Sequence, residues 1–336
     1  MSGIQYCGPE PAPRSSRPAN YDPPRTPPLR PALAPLAVRR YSGGRRKGGT
    51  GGGMNGSDPQ LLVSTDWLAA HLDAPDVRVL DGSWHMPAAG RDPRAEYAAA
   101  HIPGAQFFDV DEISDTRSSL PHMAPPLEKF VARMRAMGIG DGHRVVVYDT
   151  LGLFSAARVW WLFRLFGKSD VAVLDGGLPK WRAEGRPVEN TAPVARDRHF
   201  TARRDASLVR DVTQVAASTK LGSPQIVDAR APERFRGEVA EPRPGLRSGR
   251  IPGSRNVPFG ATINADGTMK SPEELRAVFE AAGVDVDKPV ITSCGSGVTA
   301  AILNLALERL GNRSHALYDG SWAEWGAYPD LKVERG

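Results

Sequence analysis

One cysteine, Cys294, stands where two patterns meet. Residues 290–293 (Val-Ile-Thr-Ser) are β-prone, Gly295-Ser296-Gly297-Val298-Thr299 is a small, glycine-rich stretch, and a helical apolar pattern begins near Ala300 and runs through Leu310. The spacing predicts a strand, a tight turn and a helix start. A thiol at that turn faces the backbone N–H groups of residues 295–299 and the positive end of a helix, and both favour thiolate over thiol. Such a position can do nucleophilic chemistry at sulfur. A cysteine phosphatase would use the same strand, loop and helix, but it needs an arginine six positions after the cysteine, and that position is Ala300. The bland alternative is a buried structural cysteine at a strand end.

The elements that must position this loop occur twice. Residues 77–84 (VRVLDGSW) match 225–230 (QIVDAR), which sets Asp81 against Asp228 at a strand end. His101-Ile102-Pro103-Gly104-Ala105 matches Arg250-Ile251-Pro252-Gly253-Ser254, and 143–149 (HRVVVYD) matches 288–294 (KPVITSC). Leu174-Asp175-Gly176-Gly177 with Trp181 matches Tyr318-Asp319-Gly320-Ser321 with Trp325. Each copy alternates short apolar strands with helical segments, such as 127–137 and 272–282, which predicts an α/β fold with mostly parallel sheets flanked by helices. The expected division is an extension over 1–56, a first domain over 57–182, a linker over 183–208 and a second domain over 209–336. The copies differ where chemistry would occur. Asp149 stands in the first copy where Cys294 stands in the second, so the first domain lacks the nucleophile. Arg250 follows Phe235 by 15 positions, whereas His101 follows Tyr97 by 4. The extra residues of the second copy carry Arg243, which with Arg234 and Arg236 makes a candidate guanidinium cluster for a carboxylate or sulfo-oxyanion.

The 336 residues suffice for two filled cores, and no apolar run is long enough to span a membrane. Cys7 and Cys294 are the only cysteines, which argues for a reducing compartment and against a disulfide framework; no Cys/His cluster suggests a metal. The net charge of +5 is local in origin: residues 1–53 carry nine Lys or Arg against two acids, leaving 34 basic and 36 acidic residues in the rest. Nothing there marks a nucleic-acid-binding face. Residues 1–53, rich in Pro, Gly and Arg, are expected to be disordered. The prolines between Pro9 and Pro35 oppose an amphipathic mitochondrial presequence, and Met54 is an alternative start. The expected location is cytoplasmic, with mitochondrial as the alternative if this stretch is a presequence.

The duplicated α/β pattern, the paired Ile-Pro-Gly motifs, the Asp-Gly-Gly and Asp-Gly-Ser-Trp turns and a cysteine in the second copy alone resemble the two-domain rhodanese superfamily over residues 59–331. The loop from Cys294 to Thr299 is similar to the branch that takes sulfur from 3-mercaptopyruvate. The thiosulfate-using branch typically has Arg and Lys where this chain has Gly295 and Ser296. The resemblance implies two tandem rhodanese-like domains and a sulfurtransferase that forms a persulfide on Cys294. It implies substrate contacts from Arg234, Arg243 and the loop residues Gly295, Gly297, Val298 and Thr299. It also implies a proton-handling set of Asp111, His122 and Ser296, with Asp109 a possible stand-in for Asp111. A thiol such as thioredoxin, or cyanide, would accept the sulfur, without metal or organic cofactor, nucleic acid or membrane. Thiosulfate sulfurtransferase activity and a non-catalytic binding module are the alternatives.

Overall fold

Short apolar runs flanked by turn residues become buried parallel strands here. The computed structural model describes residues 61–191 and 193–336, which lie in one unit spanning Asn55–Gly336. The expectations for the 1–56 extension, Cys7 and Met54 included, fall outside the described residues. In the first half, β1 (Leu62–Val63), β2 (Val77–Asp81), β3 (Gln106–Phe107), β4 (Arg144–Tyr148) and β5 (Val171–Leu174) form a parallel sheet in the order β1-β5-β4-β2-β3. In the second, β6 (Val209–Arg210), β7 (Gln225–Asp228), β8 (Arg255–Asn256), β9 (Val290–Ser293) and β10 (His315–Tyr318) repeat it as β6-β10-β9-β7-β8. The central strands β4 and β9 are covered on both faces, which is why they read as continuous rather than alternating apolar runs. Asp149 follows β4 and Cys294 follows β9, both at the carboxyl end of a central strand, where open parallel sheets place their ligands.

The helices that follow these two residues explain why the halves stay together. Ala156–Leu165 is buried except for Arg164, and Ala300–Arg309 except for Arg309. Apart from Arg158 in the first and Asn304 and Glu308 in the second, the buried positions are apolar, and helices apolar nearly all round must be covered nearly all round. Each lies against its own sheet and against the other helix, in a core drawn from both halves. Arg164 and Glu308, each the ninth residue beyond its helix N-cap, join across the contact at 2.8 Å. The helices over 127–137 and 272–282 form as Leu127–Ala136 and Pro272–Ala281. The second is started by Pro272 and a reciprocal cap between Ser271 and Glu274.

The two Asp-Gly turns are used symmetrically. Asp175 Oδ1 accepts the Met269 N–H of the second half at 2.7 Å, and Asp319 Oδ2 accepts the Ala124 N–H of the first at 2.8 Å. Gly152, at φ +101°, passes so close to Gly267 that a side chain would have no room, its Cβ falling 3.1 Å from Gly267 Cα. Between the helix Gly177–Ala183 and the short 3₁₀ turn Ala206–Leu208, the chain is anchored to the first half. Glu189 bridges to His101, and Phe200 is buried against Phe130 with ring centroids 5.9 Å apart.

Candidate active site

The loop after β9 is shaped by contacts that its small residues permit. Gly297 has φ +80°, and a Cβ there would lie 3.1 Å from both an Arg158 guanidinium nitrogen and the Asp319 carbonyl. This glycine turns its N–H toward Cys294 Sγ at 3.1 Å. From behind, the helix Ser321–Trp325 holds the loop: Ser321 Oγ accepts the Cys294 N–H at 3.2 Å, and the Trp322 N–H donates to the Cys294 carbonyl at 2.9 Å. Cys294 is 2% exposed and lies at the base of a cavity of about 170 Å³. Gly295, Ser296, Val298 and Thr299 also line that cavity. Among the described residues, Gly297 alone of the loop supplies an N–H at hydrogen-bond distance from Sγ, a narrower cradle than the expected run of donors over 295–299.

Ser296 points to the first half. Its Oγ lies 2.8 Å from His122 Nδ1, and His122 Nε2 lies 3.1 Å from Asp111 Oδ1. An ionised carboxylate only accepts, so Nε2 carries the proton toward Asp111 and Nδ1 accepts from the Ser296 hydroxyl. The His122 hydrogen bond holds the Asp111 carboxyl below the ordinary range, against the effect of partial burial, and the Trp84 indole N–H donates to its other oxygen at 3.1 Å. Trp84 also packs edge-on to the His122 ring, centroids 4.6 Å apart. Asp109 does not substitute for Asp111. It caps the helix Val110–Ile113 and pairs with Arg94 at 2.7 Å, so its carboxylate is already engaged.

Two arginines stand over the loop, and their environments differ. A Cβ on Gly295 would lie 3.2 Å from Arg234 Nη2 and 3.7 Å from Arg243 Nη1, so the missing side chain leaves the space beside both guanidinium groups open. Arg234 is paired with the buried Glu241 at 2.5 Å, and Arg230 holds the same carboxylate at 2.8 Å. Arg243 has no carboxylate partner among the described residues and donates to Ser296 Oγ at 3.3 Å. Burial lowers its pKa, the charge of Cys294 opposes that effect, and Arg234 adds to it. The charges of Glu241 and Asp111 also oppose the lowering, so this half-buried cation is partly matched in the free protein and more fully matched when an anion enters. Arg236, the third member of the expected cluster, does not belong to it. It lies at the end of the helix Pro232–Arg236, exposed and paired with Glu238 at 2.6 Å, because the adjacent acid satisfies it locally.

The opposite wall is apolar. Trp84 and Phe154 come from the first half and Phe259 from the second, with Phe154 and Phe259 in edge contact at 5.5 Å. The cavity therefore has a thiol at its base, two cations on one side, aromatic rings on another and a Ser–His–Asp chain beside the thiol. Among the described residues no group of three or more His, Cys, Asp or Glu side chains converges as a metal site would. In the first copy the matching loop is closed: Asp149 is buried and accepts the N–H groups of Leu151, Phe154 and Ala156 at 2.7–2.9 Å. Burial pushes its carboxyl pKa up. It occupies the nucleophile's place as a structural acceptor.

Several participants escaped sequence reasoning, among them Trp84, Arg158, Glu241 and Asp319. Arg158 carried a signal, being a lone charge in the apolar stretch Ala-Ala-Arg-Val-Trp-Trp. Asp319 carried another, as part of a repeated turn. Nothing local in the sequence separates Glu241 from the surface acids around it.

The Rhodanese-like domain model matches residues 64–184 and 211–328. The chain is 45% identical over 274 residues to 3-mercaptopyruvate sulfurtransferase of Escherichia coli (strain K12), covering 81% of this chain and 97% of that protein. It is 45% identical over 303 residues to thiosulfate/3-mercaptopyruvate sulfurtransferase 1, mitochondrial, of Arabidopsis thaliana, covering 83% and 79%. It is 43% identical over 286 residues to thiosulfate sulfurtransferase of Cricetulus griseus, covering 82% and 96%. Among solved structures, SseA from Escherichia coli, described as a 3-mercaptopyruvate sulfotransferase with a rhodanese fold, superposes with a TM-score of 0.73 at 42% identity, covering 79% of this chain and all of that one.

Proposed function

Given that the chain belongs to the rhodanese-like family and carries the domain twice, we propose that it is a sulfurtransferase that moves sulfur from 3-mercaptopyruvate through a Cys294 persulfide to a thiol or cyanide. The observation that carries this reading is the open space beside Gly295, where the Arg234 and Arg243 guanidinium groups face the same side of the cysteine loop. A 2-oxo carboxylate fits there with its carboxylate on the arginines and its sulfur toward Sγ. Charge-assisted hydrogen bonds hold the anion, and the same contacts bring the two sulfurs together, which lowers the entropic part of the barrier.

In the first step the Cys294 thiolate attacks the substrate sulfur. An S–S bond forms, the C–S bond breaks, and its electron pair leaves as the enolate of pyruvate, which takes a proton at carbon. The sulfur proton of the donor supplies that equivalent, passing through Ser296, with His122 as the group able to hold it and Asp111 stabilising the imidazolium. The Gly297 N–H stabilises the sulfur anion before transfer and after it. In the second step an acceptor thiolate, or cyanide, attacks the outer sulfur of the persulfide and regenerates the Cys294 thiolate. A small thiol-bearing protein such as thioredoxin suits this step, and it requires a reducing compartment, which we place in the cytoplasm or, alternatively, the mitochondrion. We assign the nucleophile to the 209–336 domain and a supporting role to the 57–182 domain, with 183–208 joining them.

Sequence identity alone does not choose the donor, because relatives named for thiosulfate and for 3-mercaptopyruvate are about equally similar. Charge favours the latter. Thiosulfate is a dianion without a carboxylate, whereas this loop bears no cation of its own and Glu241 already compensates Arg234. Each missing charged contact is worth about 1.5–3 kcal/mol in a partly buried site. Side-by-side assays on the purified chain are expected to give a kcat/KM for pyruvate release from 3-mercaptopyruvate above that for sulfite release from thiosulfate. The reverse order would overturn the donor assignment in favour of the thiosulfate reading.

A further inference from the structure

We infer that the groove beside the segment 193–198, at the amino end of the first sheet, is a binding site for a small organic dianion: a phosphate monoester or a dicarboxylate carried on an apolar body. The cavity there measures about 360 Å³. Val77 and Gln106, the first residues of β2 and β3, line it, whereas Asp149 and Cys294 follow the carboxyl ends of β4 and β9. The groove is therefore separate from the candidate active site, and the inference does not depend on the sulfurtransferase reading.

Three guanidinium groups line this groove, from Arg78, Arg196 and Arg198, against one carboxylate, that of Asp73. Arg78 Nη1 donates to the Pro75 and Val77 carbonyls at 3.0 and 2.7 Å, while its Nη2 and Nε find no acceptor among the described residues. The side chains of Arg196 and Arg198 are exposed and make no ion pair among the described residues; Asp197, between them in sequence, does not line the cavity. The excess charge is felt nearby. Burial and then Arg198 lower the Arg78 pKa, and burial followed by Arg78, Lys168 and Arg198 lowers that of His143, with Asp76 opposing from outside the cavity in both cases. Among the lining groups two positive charges remain unmatched, the number a dianion supplies, and guanidinium forks suit phosphate and carboxylate alike. Leu72, Val77, Met137 and Val194 add an apolar lining, and Val194 is 93% exposed, so an apolar body on the ligand has a surface to cover.

Close backbone packing builds the groove. Gly138 has φ +67°, and a Cβ there would lie 2.9 Å from the Arg196 carbonyl; one on Gly140 would lie 3.2 Å from Arg198 Cβ. The two glycines thus let the segment pass near enough to set its arginines beside Arg78. The N–H groups of Val194, Ala195, Arg196 and Asp197 have no protein acceptor among the described residues, so this wall is free to settle onto a ligand. The duplication supplies a contrast. With Asp81 set against Asp228, Arg78 matches Gln225, whose Nε2 donates to the Asp285 carbonyl at 2.8 Å and whose Oε1 accepts the Asp285 N–H at 3.0 Å. The second copy seals this place with a neutral amide, whereas the first puts a cation there.

Calorimetric titration of the full chain at low ionic strength with phenyl phosphate, phthalate and inorganic phosphate tests the inference. At least one organic probe is expected to bind, the tighter naming the anionic group, and inorganic phosphate should bind at least about threefold more weakly for want of an apolar body. The double substitution Arg196→Gln/Arg198→Gln is expected to weaken the organic probe about tenfold. Both side chains are exposed and unpaired, so this variant should melt at an unchanged or higher temperature without the probe. Arg243→Met, which removes a cation from the candidate active site, should leave the affinity within about twofold. Hydrogen exchange at the amides of residues 194–197 should slow when the probe is bound. No binding of either organic probe at millimolar concentration, equal affinity in the double variant, or a loss confined to Arg243→Met would overturn the inference, the last by placing the anion beside Cys294. Inorganic phosphate that binds as tightly as the organic probes would overturn the ligand class.

Discussion

Cys294→Ser is expected to reduce sulfur transfer from 3-mercaptopyruvate and from thiosulfate alike, by roughly 10⁴-fold or more, the scale seen when a covalent nucleophile is removed. The reason is chemical rather than steric. A serine hydroxyl fits the same turn and can accept the Gly297 N–H that now meets Sγ, so the fold and the loop should persist. At neutral pH, however, it is neither ionised nor a soft nucleophile toward divalent sulfur, and it forms no stable link to a transferable sulfur atom. Initial rates with both donors, alongside melting curves of the two chains, check this. Retained turnover in a folded Cys294→Ser chain would remove the residue from the mechanism.

Arg243→Met should show activity and stability moving apart. The arginine offers a forked donor to the substrate carboxylate, and losing it removes about 3 kcal/mol of charge-assisted contact, or roughly a hundredfold in kcat/KM. The free protein gains little from this guanidinium. Its burial and the nearby Arg234 oppose its charge, the charges of Cys294, Glu241 and Asp111 offset only part of that cost, and no carboxylate among the described residues pairs with it directly, so an apolar chain of similar length should leave the melting temperature about unchanged or raise it. Arg234 should behave differently, since removing it leaves one side of the buried Glu241 carboxylate without its partner and should cost stability as well as activity. Steady-state kinetics and thermal melts on the two variants would separate these roles. An Arg243→Met chain that loses activity only in proportion to lost stability would contradict the assignment of that residue to substrate.

Much of this organisation can be read from the chain because it rests on local rules applied twice. Parallel strands buried on both faces must be apolar throughout, which makes β4 and β9 visible as matched runs and places Asp149 opposite Cys294. A cysteine between such a strand and a helix start can only be at the sheet's carboxyl end. What could not be read depends on which surfaces meet across the halves. Arg236 looked like a partner of Arg234, yet the direction of a short helix and the nearness of Glu238 turn it to solvent. Asp109 and Asp111 are two residues apart and equal in chemistry. Only the helix N-terminus that Asp109 caps, and the His122 ring that Asp111 meets, tell them apart. Arg158 and Asp319 are 161 positions apart, a pairing that no periodicity encodes.

The central claim is that Cys294 carries the sulfur, and mass spectrometry of the intact chain after incubation with 3-mercaptopyruvate, in the absence of any acceptor, tests it most directly. The chain should gain the mass of one sulfur atom, peptide mapping should place that atom on Cys294, and a thiol acceptor or cyanide should remove it. A chain that releases pyruvate without added sulfur on Cys294, or that remains unmodified altogether, would contradict the persulfide mechanism, and the second outcome would point to a rhodanese module that binds without catalysing.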